Sequence, residues 1–257
     1  MNPTARMGIG LIGDIPAGAV MAQALAGAGH ALVGRSAPPE DRADHVEALL
    51  PGVPVLTPTD IARRSEMVIL AADGDALDHL ATTLAEDGVI QPGQIVVHVA
   101  ADGALAQLTP LMSKGAIGLR LIPLLPLTGH SLDIKRLRGG WCAVVAHAPV
   151  SPIGQALAVE MGMEALVVDP EGEPALHQAL QVARGGAQEF IDSALVGLLE
   201  VGLESAPRAL AAMLHAEIDQ AVRDASSGSD AELLGGADEL EALLGSEAFD
   251  SPEGERE

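Results

Sequence analysis

From Met7 to about Val168, short apolar runs alternate with amphipathic segments, and no other feature restricts the fold of this chain as strongly. Near-continuous apolar runs suit strands buried on both faces of a parallel sheet, and the segments between them suit crossover helices. Strands are expected at Met7–Ile12, Ala31–Gly34, Met67–Ala71, Gln94–His98, Ile117–Ile122, Cys142–Ala146 and Glu164–Val168. Helices are expected at Ala17–Gly29, Pro39–Leu50, Thr59–Arg64, Asp75–Asp87, Gly103–Ser113 and Ser151–Met161. Thr57, Thr59 and Ser151, beside Pro58 and Pro152, carry helix-start signals.

Beyond Asp169 the rhythm changes. Leu176, Leu180, Ala183, Ala187, Phe190, Ala194, Leu198 and Val201 recur at three- and four-residue steps, the period of a helix of roughly 28 residues. A second helix is expected from about Pro207. Helices this long form the spine of a helical domain, a dimerisation element, or both. The expected divisions are therefore an α/β domain at 1–169, a helical domain at 170–223 and an acidic tail at 224–257. The tail holds eleven acids against Arg256, with a short amphipathic helix expected at Ala231–Leu244.

The formal net charge is -22, with 14 Lys and Arg spread along the chain, which argues against nucleic acid as a partner. The single cysteine, Cys142, rules out an intramolecular disulfide and a zinc site built on cysteine pairs, and fits a reducing cytoplasm. No apolar run reaches the roughly 18 residues of a membrane span, because the greasiest window, GLRLIPLLPLTG, is cut by Arg120, Pro123 and Pro126.

The first strand runs into GDIPAG, Gly13 to Gly18, which opens the first helix. In the G-x-G-x-x-G fingerprint the first glycine makes the bend, the second lets backbone approach a pyrophosphate, and the third allows close packing of helix on strand. Gly13 and Gly18 keep the outer positions. Ile15 takes the middle one, Asp14 adds a carboxylate, and Pro16 removes an N–H donor. The segment reads either as a dinucleotide loop or as a strand-to-helix turn without a ligand. Arg35 and Ser36, about 20 residues on, stand where an Arg accommodates the 2′-phosphate of NADP, or where a loop charge is merely solvated.

His98 closes a strand, on the side where open α/β sheets bind ligands, and is a candidate proton donor or a structural residue. Ala72 and Asp73 follow another strand; there Asp73 and Asp75 face the ligand crevice or cap a helix. His177, Gln181, Arg184 and Gln188 share one face of the long helix, bordering a substrate or simply exposed. No metal-binding cluster is expected.

These residues, together with GIGLIG, AGAGHALVGRS, LLPGVPV, QPGQIVVH, RLIPLLPLTG and RLRGGWCAVVA, give a chain that resembles a bacterial Rossmann-like family whose C-terminal half is a domain of unknown function. That family is related to pyrroline-5-carboxylate reductase, 6-phosphogluconate dehydrogenase and ketopantoate reductase. The resemblance runs over roughly Met7 to Arg223. It implies a Rossmann domain, a helical domain used for homodimerisation, and reduction of a C=O or C=N bond of a small metabolite with NADP. Gly13, Asp14, Ile15, Gly18, Arg35, Ser36, Ala72 and Asp73 would then border the cofactor, with His98 and His177 as catalytic candidates.

Several positions depart from the family pattern. The middle glycine is Ile15. Ala100 and Ala101 follow His98 where the family has serine and glycine. A loop reading H-P-M-Q-T-F in relatives is Ile122-Pro123-Leu124-Leu125-Pro126-Leu127 here, and Arg184-Gly185 replaces a Ser-Asn pair, while His177 matches. Two functions follow from this comparison. One is an NADP-dependent oxidoreductase with an altered cleft; the other is a non-catalytic dimeric scaffold or small-molecule sensor that kept the fold.

Overall fold

The computed structural model describes residues 6–200 and 206–227, so the expected helix at Ala231–Leu244 lies outside the described residues. Seven strands form one sheet: β1 (Gly8–Gly13), β2 (Ala31–Arg35), β3 (Met67–Ala71), β4 (Ile95–His98), β5 (Ile117–Pro123), β6 (Trp141–Val145) and β7 (Glu164–Val168). Their order is β2-β1-β3-β4-β5-β6-β7, and every pair is parallel except β5 with β6. The fold class is α/β, as the alternating pattern requires.

Helices α1 (Pro16–Gly27), α2 (Ala43–Leu49), α3 (Pro58–Arg64), α4 (Gly74–Glu86), α5 (Thr109–Met112), α6 (Leu132–Leu137) and α7 (Ser151–Glu160) fill the connections. They are followed by α8 (Glu173–Glu200) and α9 (Ala206–Ser227). The central strand β3 is buried at every position, and Met67, Ile69 and Ala71 pack in one core with Leu25 of α1 and Leu157 of α7. Such burial explains the strand as an unbroken apolar run without polar alternation. The chain divides into two compact units between Ala179 and Leu180. Among the described residues no helix is long and apolar enough to cross a membrane.

Local expectations are corrected at five places. The helix expected at Pro39–Leu50 begins as a 3-10 turn, Glu40–Arg42, before α2, and that expected at Gly103–Ser113 is a 3-10 turn, Leu105–Leu108, running into α5. Thr57 caps α3, its hydroxyl oxygen accepting from the Asp60 amide at 3.2 Å, but the Thr59 hydroxyl donates to Asp87 instead. Ser151 is the first residue of α7, not its cap, and its hydroxyl donates to the carbonyl of Ala148. Helix α6 was not expected at all.

The strand order places the topological switch between β1 and β3, whose crossovers leave in opposite directions. Ligands of open α/β sheets bind outside the carboxyl ends of the strands at such a point. Here those ends are Gly13 and Ala71, paired across the ladder.

Candidate functional site

A cleft opens at this switch point and holds about 170 Å³ of space open to water. One water needs only about 10–15 Å³ by the same measure, so the cleft admits a ligand fragment of some size. The β1–α1 turn forms its floor, Ser36 to Val46 one wall, and Thr128, Gly129 and His130 the other.

The floor is built on two glycines. Gly13 has φ +107, and a Cβ there would lie 2.2 Å from the carbonyl oxygen of Ala71, so only glycine fits. A Cβ on Gly18 would come within 2.4 Å of the Ala71 side chain, which is the helix-on-strand packing expected of a third fingerprint glycine. Between them the backbone turns inward. The amides of Asp14 and Ile15 both donate to Ala71 O, at 2.9 and 3.0 Å, and the Gly18 amide donates to Ile15 O at 2.9 Å. Pro16 has no N–H, and the Ile15 side chain packs against the core. The Gly13 amide donates to Ser36 Oγ at 2.9 Å, which ties the turn to the end of β2.

A dinucleotide can be fitted to this geometry only in part. The turn offers a pyrophosphate a carboxylate at Asp14, an isoleucine side chain in place of a bare glycine, and three amides already spent within the protein. The wall beyond Ser36 is different, because it carries Arg42 and His45 together with the apolar Pro38 and Val46. These groups suit a phosphorylated nucleoside end. Arg42 donates to the Asp14 carbonyl at 2.7 Å and to the Asp14 carboxylate at 3.2 Å. His45 meets His130 edge to face across the cleft, with ring centroids 4.6 Å apart.

Arg35 does not line the cleft. It is buried beneath α2, where Nη2 donates to Glu47 at 2.7 Å, while Nε and Nη1 have no partner among the described residues. The Gly52 amide and Arg35 together hold the Glu47 carboxyl below its ordinary range.

The far wall is fixed by a residue that the sequence did not single out. Asp133, buried at the start of α6, accepts from the Thr128 amide (2.6 Å), the Thr128 hydroxyl (3.0 Å), the Gly129 amide (3.0 Å) and Arg136 (2.9 Å). Burial pushes its carboxyl up, but these donors outweigh burial and leave it below the usual aspartate range. The loop is thereby folded over α1, with Gly129 against Pro16. Ile122 is buried and Leu124 half-buried, while Leu125 and Leu127 pack on the core; none of the four lines the cleft.

His98 is fully buried. Its Nε2–H donates to Ala72 O at 2.8 Å and its Nδ1 accepts from Arg120 Nε at 3.0 Å, which fixes the tautomer and uses both nitrogens. Desolvation first, and the Arg120 charge second, lower its pKa to about 4, so the ring is neutral at pH 7. Arg120, buried in β5, also donates to the carbonyl of Ala100 at 3.0 Å and forms an ion pair with Glu173. The Glu173 carboxylate accepts from the Leu105 amide at 2.9 Å. The network thus joins the ends of β3 and β4 and the middle of β5 to the first turn of α8. A lone arginine inside the apolar run GLRLIP was the signal for it, since a buried cation needs an acidic partner.

Asp73 is exposed and precedes α4 without a side-chain capping bond; Asp75 lies in the first turn of that helix. Along α8, His177 is half-buried, whereas Gln181, Arg184 and Gln188 are exposed, and none of the four lines the cleft.

Sheet order, switch-point cleft and glycine turn define an α/β protein of the Rossmann type. Residues 2–123 match the family model described as a Rossmann-like domain. Solved structures with the same fold include an imine reductase from Pseudomonas sp. at 16% identity, covering 95% of this chain and 88% of that one, with a TM-score of 0.64. An imine reductase from Myxococcus stipitatus in complex with NADP+ is 17% identical over 84% of this chain and 75% of that one, TM-score 0.62. Plasmodium falciparum pyrroline carboxylate reductase with NADP bound is 11% identical over 87% and 80%, TM-score 0.59. No curated protein matches the chain.

Proposed function

We propose that the chain is an NADP-dependent oxidoreductase reducing a C=O or C=N bond of a small metabolite. The observation that carries this reading is the cleft at the β1/β3 switch point, where Ser36, Arg42 and His45 stand beside apolar walls. The likeness to NADP-bound structures over most of the chain supports it. Ser36 and Arg42 would hold the phosphorylated ribose, beside the turn that Gly13 makes possible. Nicotinamide, when bound, supplies the hydride. His98, with both nitrogens engaged, positions the strand ends, and of the two candidate proton donors His177 is the one with solvent access.

One observation favours a second reading. The spent amides of Asp14, Ile15 and Gly18, with Pro16 among them, describe a Rossmann-like scaffold or small-molecule sensor that has lost its dinucleotide. Thermal-shift titration separates the two. Ligand at about 100 Kd stabilises the native state by roughly 2.7 kcal/mol, so NADPH should raise the melting temperature clearly and NADH less. No shift with either nucleotide at millimolar concentration removes the oxidoreductase reading and leaves the second.

The helical unit supports a homodimer. Phe190, Val196 and Leu199 on α8, and Met213 and Ile218 on α9, are exposed apolar side chains of a kind that association covers. Sedimentation equilibrium should return twice the chain mass; a monomer mass at micromolar concentration would refute the assignment.

A further inference from the structure

We infer that Arg42 is the anion-recognising residue of the cleft and that Asp14 is its internal placeholder, displaced when the phosphate monoester of a nucleotide arrives. This deepens the nucleotide reading above and rests on it. Among the described residues Arg42 is the one guanidinium lining the cleft. Arg35, the neighbouring cation, is buried away from the cleft and engaged by Glu47.

Arg42 meets Asp14 through two nitrogens, one on the carbonyl and one on the carboxylate, the two-point contact a guanidinium makes with a phosphate. Both side chains are more than a third exposed, at 37% and 45%, so the pair is held weakly and exchange for a better anion costs little. The amides of Asp14 and Ile15 are committed to Ala71 and that of Gly18 to Ile15, so these three do not compete for that anion. His45 and His130 bring further hydrogen-bonding groups to the same cleft. Leu11, Pro38 and Val46 supply apolar wall for a nucleoside, which makes a nucleotide a better occupant than free phosphate.

The test is calorimetric titration of the full chain with adenosine 2′-monophosphate, adenosine and inorganic phosphate, using wild type, Asp14→Asn, Arg42→Ala and the double variant. Melting curves without ligand check that each variant is folded. Asp14→Asn should tighten adenosine 2′-monophosphate about three-fold, the scale of releasing an exposed ion pair. Arg42→Ala should weaken it at least about ten-fold, the scale of a charge-assisted contact. Adenosine should respond to neither change, and inorganic phosphate should bind far more weakly.

The gain from Asp14→Asn should vanish when Arg42 is alanine. If it persists, Asp14 acts by general repulsion and the placeholder role is wrong. Equal binding of inorganic phosphate, or no binding of adenosine 2′-monophosphate to wild type and Asp14→Asn, also overturns the inference. An NADPH shift in the wild type that neither substitution alters overturns the inference and leaves the oxidoreductase reading standing. Binding of adenosine 2′-monophosphate to Asp14→Asn without any NADPH shift in the wild type upholds the inference and removes that reading.

Discussion

Replacing Glu173 with alanine should destabilise the first compact unit by about 3–5 kcal/mol, the range for removing one partner of a buried ion pair. The cost arises from what stays behind. Arg120 is 1% exposed, and without the carboxylate its buried charge would be left to neutral acceptors such as His98 Nδ1 and the carbonyls of Ala100, Ala101 and Asp102. The Leu105 amide would lose its acceptor as well. Glu173→Gln keeps an oxygen for that amide and should cost less, which separates loss of charge from loss of shape. Urea unfolding measures both variants. An alanine variant with the wild-type midpoint would show that the network contributes nothing to stability.

The second large effect depends on pH. His98 titrates near 4 in the folded chain, against 6.5 for an unburied histidine, because desolvation and the Arg120 charge both oppose protonation. Between those values the unfolded chain binds a proton that the folded chain excludes. Stability is therefore full above pH 6.5 and falls as the pH is lowered towards 4, by about 3 kcal/mol from this group. Carboxylates add their own loss in acid, so the informative quantity is the difference from His98→Gln, which cannot titrate. Over pH 4 to 6.5 the wild-type curve should be the steeper one. Parallel curves would mean that the ring is not excluded from protonation in the folded state.

Much of the architecture was legible because it depends on local pattern. Met67–Ala71 and Glu164–Val168 fall where the apolar runs put them, and α8 covers 28 residues as its periodicity requires. The glycine turn was legible too, since φ +107 at Gly13 and the contact of Gly18 with Ala71 are demands that glycine alone meets. Helix α6 escaped because its six residues, LDIKRL, give too short a window for a period to show.

The site was less legible, for reasons that particular residues illustrate. Arg35 follows a register shift in the β1–β2 pairing, where Ile9 pairs with Leu32 but Gly10 pairs with Gly34. The extra residue, Val33, reverses the alternation of faces beyond it, and Arg35 turns under α2 to Glu47. Arg42 belongs to the cleft because a 3-10 turn brings it back over Asp14. His98 and Glu173 are far apart in sequence and meet only through Arg120.

The sequence by itself determined the elements, their order and the position of the turn, because hydrophobic period, proline and glycine act over a few residues. Only the tertiary structure decided which face each polar side chain occupies and which partner it finds. Those outcomes depend on a one-residue shift in strand pairing and on contacts between segments far apart in the chain, neither of which leaves a local pattern in the sequence.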